Sequence, residues 1–324
     1  MTDIEHPEIF HGLPVFTLPQ PGEDGPDPAA LPEAGSVAWR LGCGWEGPAF
    51  AEVWQHFLEA VDPVGVRGLL ISPWWPDHYT SFAPVAELIA GDAERFPALR
   101  ALFLADVIGE ECEVSWIEMS DITSLIEAFP RLEELVVRGG GDSVPGREKL
   151  QLRPVRHPAL KSLRFESGGL PGHVVRAVGA SELPALERLE FWFGASWYGG
   201  DATVDDMRPI LSGGNLPRLR HLGLQNSEIQ DEIAAAVASA PVVAQLESLA
   251  LSMGTLSDTG ALALLDGQPL THLASLDLHH HYLTDPVMSH VREMCARADV
   301  HVDLDEADAW DPEDDDPRYV AVSE

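Results

Sequence analysis

Leucines recur along this chain at fixed offsets. Seven stretches share the pattern L-x-x-L-x-L, with another apolar residue sometimes filling the last slot. They are LRALFL from Leu99, LEELVV from Leu132, LKSLRF from Leu160, LERLEF from Leu186, LRHLGL from Leu219, LESLAL from Leu246 and LASLDL from Leu273. Their first leucines stand 33, 28, 26, 33, 27 and 27 residues apart. A weaker copy, VRGLLI from Val66, precedes them by 33 residues, and VHVDL from Val300 closes the series. Such a pattern predicts one short strand per unit, with leucines on one side and the intervening side chains on the other.

The rest of each unit must return the chain to the start of the next strand. Apolar residues there recur at three- and four-residue intervals, as in SDITSLIEAF, PGHVVRAVGA, DATVDDMRPIL, EIQDEIAAAVAS, DTGALALLDG and DPVMSHVREMCAR. Ile229, Ile233, Ala236 and Val237 thereby share one helical face. Units of 26–33 residues with a true helix resemble the ribonuclease-inhibitor class of leucine-rich repeats. The expected fold is therefore α/β: a leucine-rich-repeat horseshoe, or solenoid, with a concave parallel sheet and convex helices. Each unit buries its leucines only against its neighbours, which makes the array one cooperative body.

Three regions follow. Residues 1–47 are expected to form a small N-terminal β cap from LPVFTLP and SVAWRLG, separated by the acidic Pro/Gly loop QPGEDGPDPAALPEAG. Residues 48–305 form the repeat array, and residues 306–324 an acidic C-terminal tail, disordered in part. RYVAVSE, which closes the chain, is short and apolar enough to add to a sheet edge or dock on its own protein.

Charge narrows the partners. Acidic residues number 53 against 20 basic ones, a net charge of -33. Residues 1–34 and 303–324 together hold -16 of it. Such a surface disfavours nucleic acid and anionic membrane, and it attracts a basic protein or peptide. Three cysteines, Cys43, Cys112 and Cys295, form no CxxC or paired spacing. No signal peptide or membrane span is read, so a cytoplasmic protein is expected.

The register maps the concave face. One outward ladder reads Leu70, Phe103, Val136, Arg164, Glu190, Gly223, Ala250 and Asp277; a second reads Ser72, Ala105, Arg138, Glu166, Trp192, Gln225, Ser252 and His279. Aromatic and Arg side chains on a preformed surface are the usual anchors of protein recognition. Candidate partner contacts are Phe103, Arg138, Arg164, Glu190, Trp192, Gln225, Asp277 and His279. The plainer alternative is that Arg164 and Glu190 merely pair with one another.

LDLHHHYLTD, Leu276–Asp285, holds three consecutive histidines. His281 falls where a typical repeat carries a turn Asn. His279 lies on the outward ladder with Asp277 on its own strand and Asp303 and Asp305 on the next. A divalent ion held by His279, Asp277 and one of those aspartates is the sharper reading, in a metal-binding protein or metal-dependent enzyme. Consecutive histidines cannot all converge on one ion, however, and no HExxH spacing is present. RGGGDS at Arg138–Ser143 lacks the Lys-Ser/Thr of a phosphate loop, and no GxSxG occurs. WYGGD, Trp197–Asp201, is expected to be a turn with Asp201 capping the following helix. No catalytic constellation and no cofactor motif is found, so a non-enzymatic binding scaffold is expected.

FHGLPVF, FESGGLP, LGLQNSEI, LDLHHHYLTD and RYVAVSE together make the chain similar to a bacterial leucine-rich-repeat family that has no assigned activity. Genes of that group sit near radical-SAM-like and ATP-grasp-like enzymes. The resemblance thus implies an accessory role beside a modification pathway.

Overall fold

The structure is a computed structural model describing residues 4–22, 31–76, 80–140, 149–308 and 318–323. Most of the acidic loop and of the acidic tail, and all but the first residues of RGGGDS, lie outside the described residues. Among the described residues twelve strands form one sheet in strict chain order. They are β1 (Ile9–Phe10), β2 (Leu13–Thr17), β3 (Ala38–Leu41), β4 (Gly68–Ile71), β5 (Ala101–Leu104) and β6 (Glu134–Arg138). Then come β7 (Ser162–Glu166), β8 (Arg188–Gly194), β9 (His221–Ser227), β10 (Ser248–Ala250), β11 (Ser275–Asp277) and β12 (His301–Asp303). Strands β1 and β2 form an antiparallel hairpin, and from β2 onward every pairing is parallel.

The repeat leucines set the register. Leu69, Leu102, Leu135, Leu163, Leu189, Leu222, Leu249 and Leu276 stand opposite one another across consecutive strands and end on Val302. A one-residue slip anywhere would move this row to the other face, so burial of the row fixes the pairing.

Among the described residues eight α-helices return the chain: α1 (Phe50–Ala60), α2 (Ala83–Gly91), α3 (Thr123–Ala128), α4 (Gly172–Gly179), α5 (Val204–Leu211), α6 (Gln230–Val237), α7 (Asp258–Leu265) and α8 (Asp285–Arg297). Their buried residues, including Phe57, Ile89, Leu125, Val175, Ile210, Ile233 and Leu264, join the leucine row in one continuous core. Helix α5 begins with a capping box in which Thr203 and Asp206 exchange hydrogen bonds. Asp201 does not cap that helix. Its carboxylate instead accepts the Gly172 N–H at 2.6 Å, at the start of α4 in the preceding unit. The cap thus ties two units together.

A smaller apolar cluster lies on the sheet face away from the helices. Phe10 and Leu13 of the hairpin cover Ala38, Leu70, Ala101, Phe103 and Val136. No helix among the described residues is long and apolar enough to cross a membrane.

Candidate functional site

Strand pairing arranges the outward side chains as a row: Arg40, Leu70, Phe103, Val136, Arg164, Glu190, Gly223, Ala250, Asp277 and Asp303. The apolar end of this row is closed. Phe103 is 2% exposed beneath Phe10, with ring centroids 6.0 Å apart. Expected from the register to be a partner contact, Phe103 belongs instead to the packed interior, because the N-terminal hairpin folds back over it.

Arg138 is buried as well. Its guanidinium stacks on the Phe103 ring at 4.8 Å, donates to Glu166 at 2.7 Å and reaches the Val107 carbonyl at 2.5 Å. Glu166 also takes Arg164 at 2.9 Å, and Arg164 approaches Glu190 at 3.7 Å. Glu190 in turn meets Arg188 and lies 2.8 Å from His221. Burial alone would push the Glu190 carboxyl up. The close His221 imidazole and the Arg188 and Arg164 charges overcome that and hold it at about 2. The central charges therefore neutralise one another in a chain of pairs running across four strands. Arg138 and Glu190 have their polar atoms spent on these internal partners. Arg164 and Trp192 remain partly exposed.

Gln225, Asp277 and His279 continue the network. Gln225 donates to Ser252 at 2.8 Å, and Ser252 donates to Asp277 at 3.0 Å. Asp277 Oδ1 accepts the His279 N–H at 3.0 Å and lies 2.7 Å from its Nδ1. The hydrogen bond to Asp277 raises the His279 pKa against the effect of burial, with Asp303 and Glu306 adding to it. Asp277, His279 and Asp303 each offer a donor atom within 4.8 Å of the others, the one such group among the described residues. The third donor is Asp303, directly paired with Asp277 in the sheet.

His281 is fully buried, and its Nε2 lies 3.2 Å from the Leu304 carbonyl. Its Nδ1 accepts the Leu283 N–H at 3.1 Å. An acceptor Nδ1 and a pKa lowered by burial make this ring neutral, a turn residue in the place of Asn.

A second feature lies where the strands end. Gly139, Asn226, Met253, His280 and Glu306 all have positive φ. Each stands four residues after the leucine-row member of its own strand, so left-handed backbone recurs at one repeat position. Three of these residues hold the closing segment Arg318–Ser323. The Asn226 amide donates to the Val322 carbonyl at 2.5 Å and accepts the Val322 N–H at 2.9 Å. Ala321 N–H donates to the Met253 carbonyl at 2.8 Å. His280 Nε2 lies 3.2 Å from the Tyr319 carbonyl, and the Tyr282 hydroxyl bonds both the N–H and the carbonyl of Tyr319. Arg318–Ser323 thus docks on its own chain. Asn226 is tolerated in left-handed backbone because its short polar side chain fits there. That tolerance, with the apolar closing segment, was the signal in the sequence for this ledge.

The N-terminal segment reaches the same region. Ile4 packs beside Val114, Met253, Ala321 and Val322. His6 lies 2.9 Å from Asp106, which is fully buried and also takes Arg40 at 2.6 Å. Hydrogen bonds to Asp106 and Glu111 raise the His6 pKa to about 9.

No family model matches the chain, and no curated protein does. A crystal structure of a Bacteroides fragilis protein superposes with a TM-score of 0.74 at 27% identity, covering 83% of this chain and 72% of that one. TLR13 in its complex with ssRNA13 gives a TM-score of 0.36 at 16% identity, over 79% of this chain and 35% of that one, too distant to inform function.

Proposed function

We propose that the chain is a leucine-rich-repeat scaffold that binds a protein or peptide and carries out no catalysis. On this reading the array is a solenoid whose sheet lines the concave side of a horseshoe. The observation that carries it is the strand register. It lays one outward side chain per strand on a helix-free face, at roughly the 4.8 Å spacing of neighbouring strands. Such a face is a broad, preformed surface, and its internal ion pairs hold it rigid. Arg164, Trp192, Asp277 and His279 are the proposed contacts, since they keep exposure after that pairing. A charge of -33 favours a basic partner and disfavours nucleic acid. A cytoplasmic accessory role beside a modification pathway fits this reading.

Affinity capture with wild type, Arg164→Ala and Trp192→Ala tests it. One partner should be recovered with wild type and depleted with both variants. Equal recovery from all three removes the sheet-face assignment.

The Asp277, His279 and Asp303 donors support a second reading, a divalent-metal site. Binding there must expel the proton that Asp277 holds on His279. Calorimetric titration with zinc should then show affinity rising with pH and lost in His279→Ala. Absence of stoichiometric binding at any pH rejects it.

A further inference from the structure

The contacts to Arg318–Ser323 have an unusual composition. Almost all go to the segment's backbone. Tyr319 is held at N–H and carbonyl, Ala321 at N–H, Val322 at N–H and carbonyl, and Ser323 at its carbonyl by the Ser115 hydroxyl. The three principal anchors come from the same position of three consecutive units. An extended chain advances about 10 Å from residue 319 to residue 322, and two strand spacings also measure about 10 Å. The ledge therefore suits a short peptide laid across the strands, and the segment on it bends at Ala321.

Side-chain requirements are few and defined. Val320, Ala321 and Val322 are buried, the last two against Val114 and Met253 with Trp192 alongside. Arg318 donates to the Thr255 carbonyl at 2.7 Å and lies 3.4 Å from Asp231. Tyr319 is 59% exposed, so its identity matters little. Gly168 admits the far end: a Cβ there would stand 2.6 Å from the Ser323 carbonyl and would collide with the Ser115 hydroxyl. Met253 and His280 hold left-handed backbone, a conformation unfavourable to non-glycine residues. Their carbonyl and imidazole are thereby turned toward the segment.

We propose that this strand-end ledge is a recognition site for a short peptide with a basic residue followed, after one tolerant position, by aliphatic–small–aliphatic residues. The chain's own Arg318–Ser323 occupies it in cis. The proposal deepens the scaffold reading by naming a ligand class and a site at the strand ends, beside the sheet face and sharing Trp192 with it. Backbone-directed contacts accept any sequence that keeps this pattern. A tethered occupant competes at an effective concentration of about 1 mM, so the intact chain masks the site.

The test uses the full chain and a fluorescein-labelled peptide, Arg-Tyr-Val-Ala-Val-Ser, read by anisotropy. Ala321→Pro removes the N–H that Met253 accepts and weakens the cis occupant. This variant should bind the peptide at least about tenfold more tightly than wild type. Adding Asn226→Ala should abolish that gain, while adding Arg164→Ala should leave it intact. A folded Ala321→Pro chain that binds no peptide overturns the proposal, and so does binding indifferent to Asn226→Ala. Neither result touches the sheet-face reading, which rests on capture of a partner. Wild type supplies an independent readout if Ala321→Pro does not fold. Excess unlabelled peptide should accelerate hydrogen exchange at the Val322 amide by displacing it, and unchanged exchange at saturating peptide overturns the proposal. A wild-type dimer that Asn226→Ala dissociates would also overturn it, by making the occupant a second copy's segment.

Discussion

Glu190 carries a negative charge in a nearly dry setting and is stabilised by three cationic or hydrogen-bonding neighbours. Its folded pKa of about 2 lies below the ordinary 4.5. The stabilisation it provides is therefore complete above about pH 4.5 and is lost as the pH falls through about 2. Urea unfolding measured across that window should show wild type losing stability more steeply than Glu190→Gln. His6 has the opposite sign. Its pKa rises from 6.5 to about 9, so its contribution is complete below pH 6.5 and disappears as the pH rises through about 9. Arg164 and Glu190 could be placed on neighbouring rungs from spacing alone. The burial of Phe103 and Arg138 could not, because it depends on Phe10 and Val107 arriving from distant stretches of sequence. Periodicity locates a side chain on a face, and only tertiary structure tells whether that face is covered.

Strands were the most legible elements, since each carries its own copy of a strongly apolar pattern and repetition averages out local ambiguity. Helices α3 to α8 follow from the same logic. Helix α2 is harder to read: Ala83–Gly91 is apolar nearly all round and offers no clean stripe. The left-handed row was illegible apart from Gly139 and Asn226, because Met and Glu do not announce that conformation and adopt it only where the repeat imposes it. Helix α1 gives the sharpest packing test. Phe57 is fully buried and stacks on Phe96 with centroids 6.2 Å apart, while also meeting Trp39 and Trp54. Phe57→Ala should cost about 3–5 kcal/mol of unfolding free energy. Chemical denaturation monitored by tryptophan fluorescence will measure it.

At the scale of the molecule, a charge of -33 on 324 residues opposes compaction by self-repulsion. Raising ionic strength from about 0.01 M to 0.15 M shortens the Debye length from about 30 Å to about 8 Å and should raise the melting temperature. Calorimetry at both salt levels checks this, and a lower melting temperature in salt would show that the ion-pair chain outweighs the repulsion. The closing segment has a further consequence, for the order in which the protein assembles. Neighbouring units meet across only a few tens of residues, whereas Asn226 and Val322 are 96 residues apart and Ser115 and Ser323 are 208 apart. Units of a repeat array nucleate and extend from nearest-neighbour contacts. Arg318–Ser323 instead needs β9, β10 and β11 already stacked, because its anchors come from three different units. Its docking must therefore follow their assembly. Protection of the Val322 amide becomes a natural clock for the final stage of folding.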